Sequence, residues 1–80
     1  MTFNNYEEFE SLVDTEMSQA TDGNGNPIAF IELPSDNIAE ITFEDNQYYS
    51  CILHDSDGYP QDGYINTDTL YDMFMELKTA

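Results

Sequence analysis

Residues 54–72 read HDSDGYPQDGYINTDTLYD, with five aspartates and no lysine or arginine among them. Carboxylates at this density suit three chemistries. They coordinate a cation, they share a proton in acid–base catalysis, or they face a positively charged partner. An EF-hand loop needs Asp at position 1, side-chain oxygens at 3 and 5, Gly at 6 and Glu at 12. Counting from Asp22, Asn24 and Asn26 fill positions 3 and 5, but Pro27 stands at 6 and Leu33 at 12. Counting from Asp55, Asp57 fills position 3, and Tyr59, Pro60 and Asn66 occupy 5, 6 and 12. Neither loop is an EF-hand, and Asx-rich stretches of this kind form turns in their own right. A weak Ca2+ site of another kind in residues 55–63 stays open as an alternative, since Ca2+ accepts flexible oxygen ligands. One His and one Cys, His54 and Cys51, give no ligand spacing for zinc or iron. The expectation is therefore no resident metal and no cofactor.

Paired carboxylates hydrolyse bonds only where a pocket separates their pKa values. A chain of 80 residues is expected to be too small for a deep pocket. It has no Ser/His/Asp spacing, no Gly-rich phosphate loop and no Arg. Asp68-Thr69-Leu70 is similar to the Asp-Ser-Leu attachment site of acyl carriers, but Thr69 replaces the serine and the tripeptide lies at the last helix. Cys51, within the apolar run YYSCIL, reads as a small core residue, and His54 reads as a strand-end residue close to Asp55 or Asp57. No catalytic residue is assigned, and the chain is not expected to be an enzyme.

The elements that must position these acids follow from periodicity. FNNYEEFESLVDTEMSQA reads as a helix with Asn5 as N-cap and Glu8 three residues on, as a capping box requires. Tyr6, Phe9, Val13 and Met17, with Leu12 beside them, recur at helical spacing and form an apolar stripe. Glu7, Glu10 and Asp14 fall on the other side as a row of carboxylates. Neighbours in such a row repel by a few tenths of a kcal/mol each. Residues 21–27 are a turn, residues 28–33 a strand stopped by Pro34, residues 38–44 a second strand and residues 47–54 a third. A three-residue loop, Asp45-Asn46-Gln47, places Phe43 opposite Tyr49, Ile41 opposite Cys51 and Ala39 opposite Leu53, with Asn46 in the left-handed position. The other face then shows Glu40, Thr42, Glu44, Tyr48, Ser50 and His54, an acidic surface with one exposed Tyr. A short strand is expected at Gly63-Tyr64-Ile65. A second helix begins at Thr67 or Asp68 and runs through Lys78. It buries Leu70, Phe74 and Leu77 with Tyr71 or Met73, and it stacks Asp68, Asp72 and Glu76 outside. No internal repeat and no linker divides the chain. The fold class is α+β, a single domain over residues 1–80, in the order α-β-β-β-(β)-α, with a small antiparallel sheet of three to four strands packed on two helices.

Seventeen acids stand against one base, Lys78, for a formal net charge of −16. Solubility in a small domain is served by a net charge of about 2–8, and like charges oppose compaction. The excess calls for a function or a very salty habitat. Direct nucleic-acid binding requires the opposite sign. The start of the chain, Met1-Thr2-Phe3-Asn4-Asn5, has no basic region and no apolar run, so a complete cytoplasmic protein without a membrane span is expected. Carboxylates at i, i+3 and i+7 rise by ~4.5 and then ~6 Å along a helix. Phosphates follow at ~3.4 Å per strand along duplex DNA. The rows therefore have a spacing on the scale of phosphates, and a Lys/Arg-lined groove would accept them.

With its length, its 17:1 acid ratio, its rows Glu7/Glu10/Asp14 and Asp68/Asp72/Glu76 and its α-β-β-β-α plan, the chain resembles the small acidic DNA mimics that phages make against host defences. These are anti-CRISPR proteins, uracil-DNA glycosylase inhibitors and anti-restriction proteins, and anti-CRISPR proteins are the favoured class. The resemblance covers the whole chain and rests on no diagnostic motif. It implies a basic nucleic-acid-binding effector in the host cytoplasm as partner. A CRISPR effector comes first, with a restriction enzyme or DNA glycosylase behind it. The expected contact surface comprises Glu7, Glu10, Asp14, Glu40, Glu44, Asp55, Asp57, Asp62, Asp68, Asp72 and Glu76, with Tyr48, Tyr59 and Tyr64 as apolar anchors. The competing expectation is an acidic protein-interaction or Ca2+-responsive domain without DNA mimicry.

Overall fold

A computed structural model describes residues 2–61 and 63–80. Helix α1 (Tyr6–Met17) is followed by strands β1 (Ile28–Glu32), β2 (Ile38–Glu44), β3 (Tyr48–His54) and β4 (Ile65–Thr67), and by helix α2 (Leu70–Leu77). The strands form one antiparallel sheet in the order β1-β2-β3-β4, with both helices against the same face. The α+β class and the element order agree with the sequence.

α1 starts where its capping residues place it. The Asn5 side chain accepts from the Glu8 N–H at 2.9 Å, and the Glu8 carboxylate accepts from the Asn4 N–H at 2.8 Å. The reciprocal bond thus reaches one residue beyond the N-cap itself. Phe9 and Val13 are fully buried, with Tyr6, Leu12 and Met17 packed at the margin. Ala29 and Ile31 of β1, Ala39 and Ile41 of β2 and Cys51 of β3 meet them from the sheet. Rings of Phe3, Phe9 and Phe74 cluster at centroid distances of 4.9–5.8 Å and tie α1 to α2.

The β2–β3 register is the expected one, with Phe43 opposite Tyr49, Ile41 opposite Cys51 and Ala39 opposite Leu53. Asn46 is left-handed (φ 57°), and so is Asp45 (φ 51°). The fourth strand begins at Ile65, the last residue of the expected Gly63-Tyr64-Ile65. Ile65 faces Cys51 and Thr67 faces Tyr49, so pairing extends through the residues after Ile65. This downstream shift of the strand shortens the helix. Thr69 is extended (φ −128°, ψ 156°) and caps α2 by accepting from the Asp72 N–H at 3.1 Å. α2 buries Leu70, Met73 and Leu77, and Met73 takes the inner position that Tyr71 leaves.

The open face of the sheet departs from its expected acidic character. Alternation puts Ile28 and Phe30 of β1, Ile38 of β2 and Ile52 of β3 on it, beside Glu40 and His54. The register that gathers Ala39, Ile41 and Phe43 inside necessarily sends the even-numbered Ile38 and Ile52 outside.

Candidate acidic interface

Glu7, Glu10 and Asp14 are all exposed on α1, on the flank away from Phe9 and Val13. Glu10 also accepts a hydrogen bond from the Tyr6 hydroxyl at 3.0 Å, which fixes the middle of the row. Burial, then the Glu10 carboxylate, raises the Tyr6 pKa. Burial, then the charges of Asp14 and Glu10, does the same to Tyr49. The row therefore runs beside two neutral phenols. Tyr71, 51 % exposed, packs edge-on against Tyr6 at 5.2 Å. Its spacing of one residue from Leu70 hid it, because it sits next to the buried stripe of α2.

The second row is shorter than expected. Asp68 precedes the Thr69 cap and is not on α2, so only Asp72 and Glu76 are neighbours on that helix, both exposed. The extended backbone that Thr69 needs as a cap takes Asp68 off the helical screw. The turn instead brings Asp68 and Asp72 together with Gln47, Tyr48, Asn66 and Thr67 around an open groove of about 530 Å3. The groove is open rather than deep, and it forms between the β2–β3 turn and the start of α2.

The other acids are more engaged. Glu40 on the open face meets His54 Nε2 at 3.2 Å. Glu44 accepts from the Asn26 side-chain amide at 3.2 Å. Asp55 is half-buried and binds its own loop, while Asp57 is exposed. Asp62 lies outside the described residues. The three tyrosines expected at the surface are there: Tyr48 is 37 %, Tyr59 70 % and Tyr64 71 % exposed. Tyr48 joins the groove of Asp68 and Asp72, whereas Tyr59 stands on the loop after β3.

Two loops share a plan that the sequence carries at six-residue scale, DGNGNP at 22–27 and DSDGYP at 55–60. In each, one Asp oxygen accepts from the N–H two and four residues on, at 2.8 and 2.9 Å for Asp22 and 3.0 and 2.9 Å for Asp55. In each, the glycine at the fourth position is left-handed, Gly25 at φ 85° and Gly58 at φ 89°. Each proline bridges the residue before the Asp, Pro27 to Thr21 and Pro60 to His54. These N–H groups engage one oxygen of each carboxylate. The Asn26 N–H, before the other amides, lowers the Asp22 pKa. Among the described residues, no three His, Cys, Asp or Glu side chains gather in a way that could hold a metal ion.

Cys51 is buried, and burial, with Glu40 nearby, pushes its thiol up to about 12. It stays protonated at neutral pH, which makes it packing rather than a nucleophile. Among the described residues, no helix is long and apolar enough to cross a membrane. In comparisons with known proteins, no family model matches the chain, no curated protein matches it in sequence, and no solved structure matches it in fold.

Proposed function

We propose that the protein is a phage-encoded inhibitor of a host nucleic-acid-binding defence complex, an anti-CRISPR protein that acts as a DNA mimic. The observation that carries this reading is the row Glu7, Glu10 and Asp14, exposed together on a helix that contains no cationic side chain. A lone base in the whole chain leaves this charge uncompensated. A Lys/Arg-lined groove that holds duplex DNA or reads a PAM would exchange its counterions for these carboxylates and form charge-assisted hydrogen bonds with them. Asp68 and Asp72 extend the surface at the groove beside Tyr48, and Tyr48, Tyr59 and Tyr64 give it apolar contacts that DNA lacks. The partner is a basic effector protein in the host cytoplasm, with no direct contact to nucleic acid or membrane and no catalysis by this chain.

The test begins with capture from a host lysate on immobilised protein in EDTA, with elution by a NaCl gradient. The captured complex is expected to be a nucleic-acid-binding one that leaves at high salt and is displaced by duplex DNA. The triple reversal Glu7→Lys, Glu10→Lys, Asp14→Lys should keep the fold and lose at least a hundredfold in affinity for that complex. A folded triple variant that inhibits fully would remove α1 from the contact surface. A partner that binds only with Ca2+ present would replace DNA mimicry with a cation-dependent interaction domain.

A further inference from the structure

The open groove beside the start of α2 is lined by Gln47 and Tyr48 from the β2–β3 hairpin and by Asn66, Thr67, Asp68 and Asp72 from the end of the chain. The β3–β4 ladder sets Ser50 opposite Asn66 and Tyr49 opposite Thr67, so the next pair in that register is Tyr48 and Asp68. On its other side Tyr48 faces Glu44 across the β2–β3 ladder. Tyr48, 37 % exposed, therefore stands between two acidic residues. The turn that carries both aspartates is held by two bonds: the Thr67 hydroxyl donates to the Thr69 carbonyl at 2.9 Å, and the Asp72 N–H donates to the Thr69 hydroxyl at 3.1 Å. Among the described residues, the Asp68 and Asp72 carboxylates, the Tyr48 hydroxyl and the side-chain amides of Gln47 and Asn66 make no hydrogen bond of their own. Lys78, the chain's one base, lies at the C-cap of α2, the end of that helix away from Asp68 and Asp72.

We infer that this groove seats an arginine side chain of the partner protein, with its guanidinium against the Tyr48 ring and its N–H groups on the carboxylates of Asp68 and Asp72. The inference rests on the DNA-mimic reading only for the basic character of the partner, and it adds the group that the partner presents. Charge selects a cation, because two carboxylates share the groove without an internal counter-ion. Among the described residues no third His, Cys, Asp or Glu joins them to complete a metal site, which disfavours a divalent cation as the occupant. The lining then selects Arg over Lys. A guanidinium is planar, stacks on an aromatic face and divides its N–H groups between acceptors, whereas an ammonium is a compact, strongly hydrated point charge that gains less in an open groove. The side-chain oxygens of Gln47 and Asn66 can accept the N–H groups that the carboxylates leave over. The α1 row offers no such ring, since the Tyr6 hydroxyl is already given to Glu10 and its face packs against Tyr71 and Phe74.

The test is an NMR titration of the full chain, in EDTA, with two capped tripeptides of equal charge, Gly-Arg-Gly and Gly-Lys-Gly. The Arg tripeptide is expected to shift the amides of Gln47, Tyr48, Asn66, Asp68 and Asp72 saturably and to bind about fivefold more tightly than the Lys tripeptide. Tyr48→Leu leaves the net charge unchanged and should abolish that preference, while Asp68→Asn should weaken both tripeptides. Both residues are exposed, so both variants should keep the spectrum of the core. If either does not fold, the difference between the two tripeptides on the unaltered chain decides. Equal affinities for the two tripeptides, or shifts at residues 7–14 as large as those in the groove, would mean attraction by charge alone and overturn the inference. So would a Tyr48→Leu variant that still prefers Arg. Failure to capture any basic effector from a lysate would count against the DNA-mimic reading and not against an Arg preference measured in the groove. An effector captured by a chain whose groove shows no Arg preference would sink this inference alone.

Discussion

In the loop before β1, Asp22 gathers the amides of Asn24 and Asn26; in the loop after β3, Asp55 gathers those of Asp57 and Tyr59. The backbones follow one plan, and the difference lies in the fifth residue. The Asn26 side chain reaches the β2–β3 turn, donating to Glu44 and accepting from the Asp45 N–H at 3.3 Å. Tyr59 occupies the matching position with its ring mostly in solvent. One loop therefore fastens the fold, and the other displays an aromatic next to Asp57. A local motif fixes a loop's shape. What the loop does depends on the side chain it presents and on what lies within reach.

Several substitutions would break or sharpen that contrast. Asn26→Ala should have the largest effect, about 2 kcal/mol lost in urea unfolding, because it removes two hydrogen bonds and one of them has a charged acceptor. An effect under 0.5 kcal/mol would mean that the first loop is not fastened to the turn. Gly25→Ala and Gly58→Ala come next, at about 1 kcal/mol each. An added Cβ meets no atom within 4 Å at either site, so the cost is that of the left-handed backbone alone and should be equal in the two loops. Unequal costs would show that the shared plan is only apparent. Tyr59→Ala should change stability by less than about 0.5 kcal/mol, as an exposed side chain does, while weakening capture of the basic partner.

The smallest effect is with pH. The Asp22 carboxyl lies below its ordinary value of 3.8 in the folded chain, chiefly through the Asn26 N–H. A depressed folded pKa stabilises above the unfolded value, and that stability is lost as pH falls through the folded one. Stability from the first loop should thus be intact at neutral pH and fall away below about 3.8, measured against an Asp22→Asn control. An acid limb of equal size in that control would assign it to other carboxylates.

Much of the fold was legible because its signals are local. Asn5 capping Glu8, the stripe through Phe9 and Val13, and the alternation that sets Ile41 against Cys51 each involve a short stretch or one hairpin. The ends of β4 and α2 were less so. Residues 65–69 suit a strand or a first helical turn, and the choice falls to pairing with β3, which no local pattern encodes. That pairing moved Asp68 off the second acidic row. The α1 row was legible in full, since the residues opposite an apolar stripe face solvent whatever the stripe packs against.

The sequence by itself determined the charge, the kind and order of the elements, the β2–β3 register and the turn character of the two Asp-Gly-Pro loops. These follow from composition, from periods of 3.6 and 2, and from turn chemistry within a few residues. Only the tertiary structure decided which carboxylates stay in solvent and which are drawn into bonds, as Glu44 is by Asn26 and Glu40 by His54. It also decided that Ile38 and Ile52 share an open face with Phe30. Each of these depends on contacts between residues far apart in the chain, whose meeting is set by how the helices and the sheet pack.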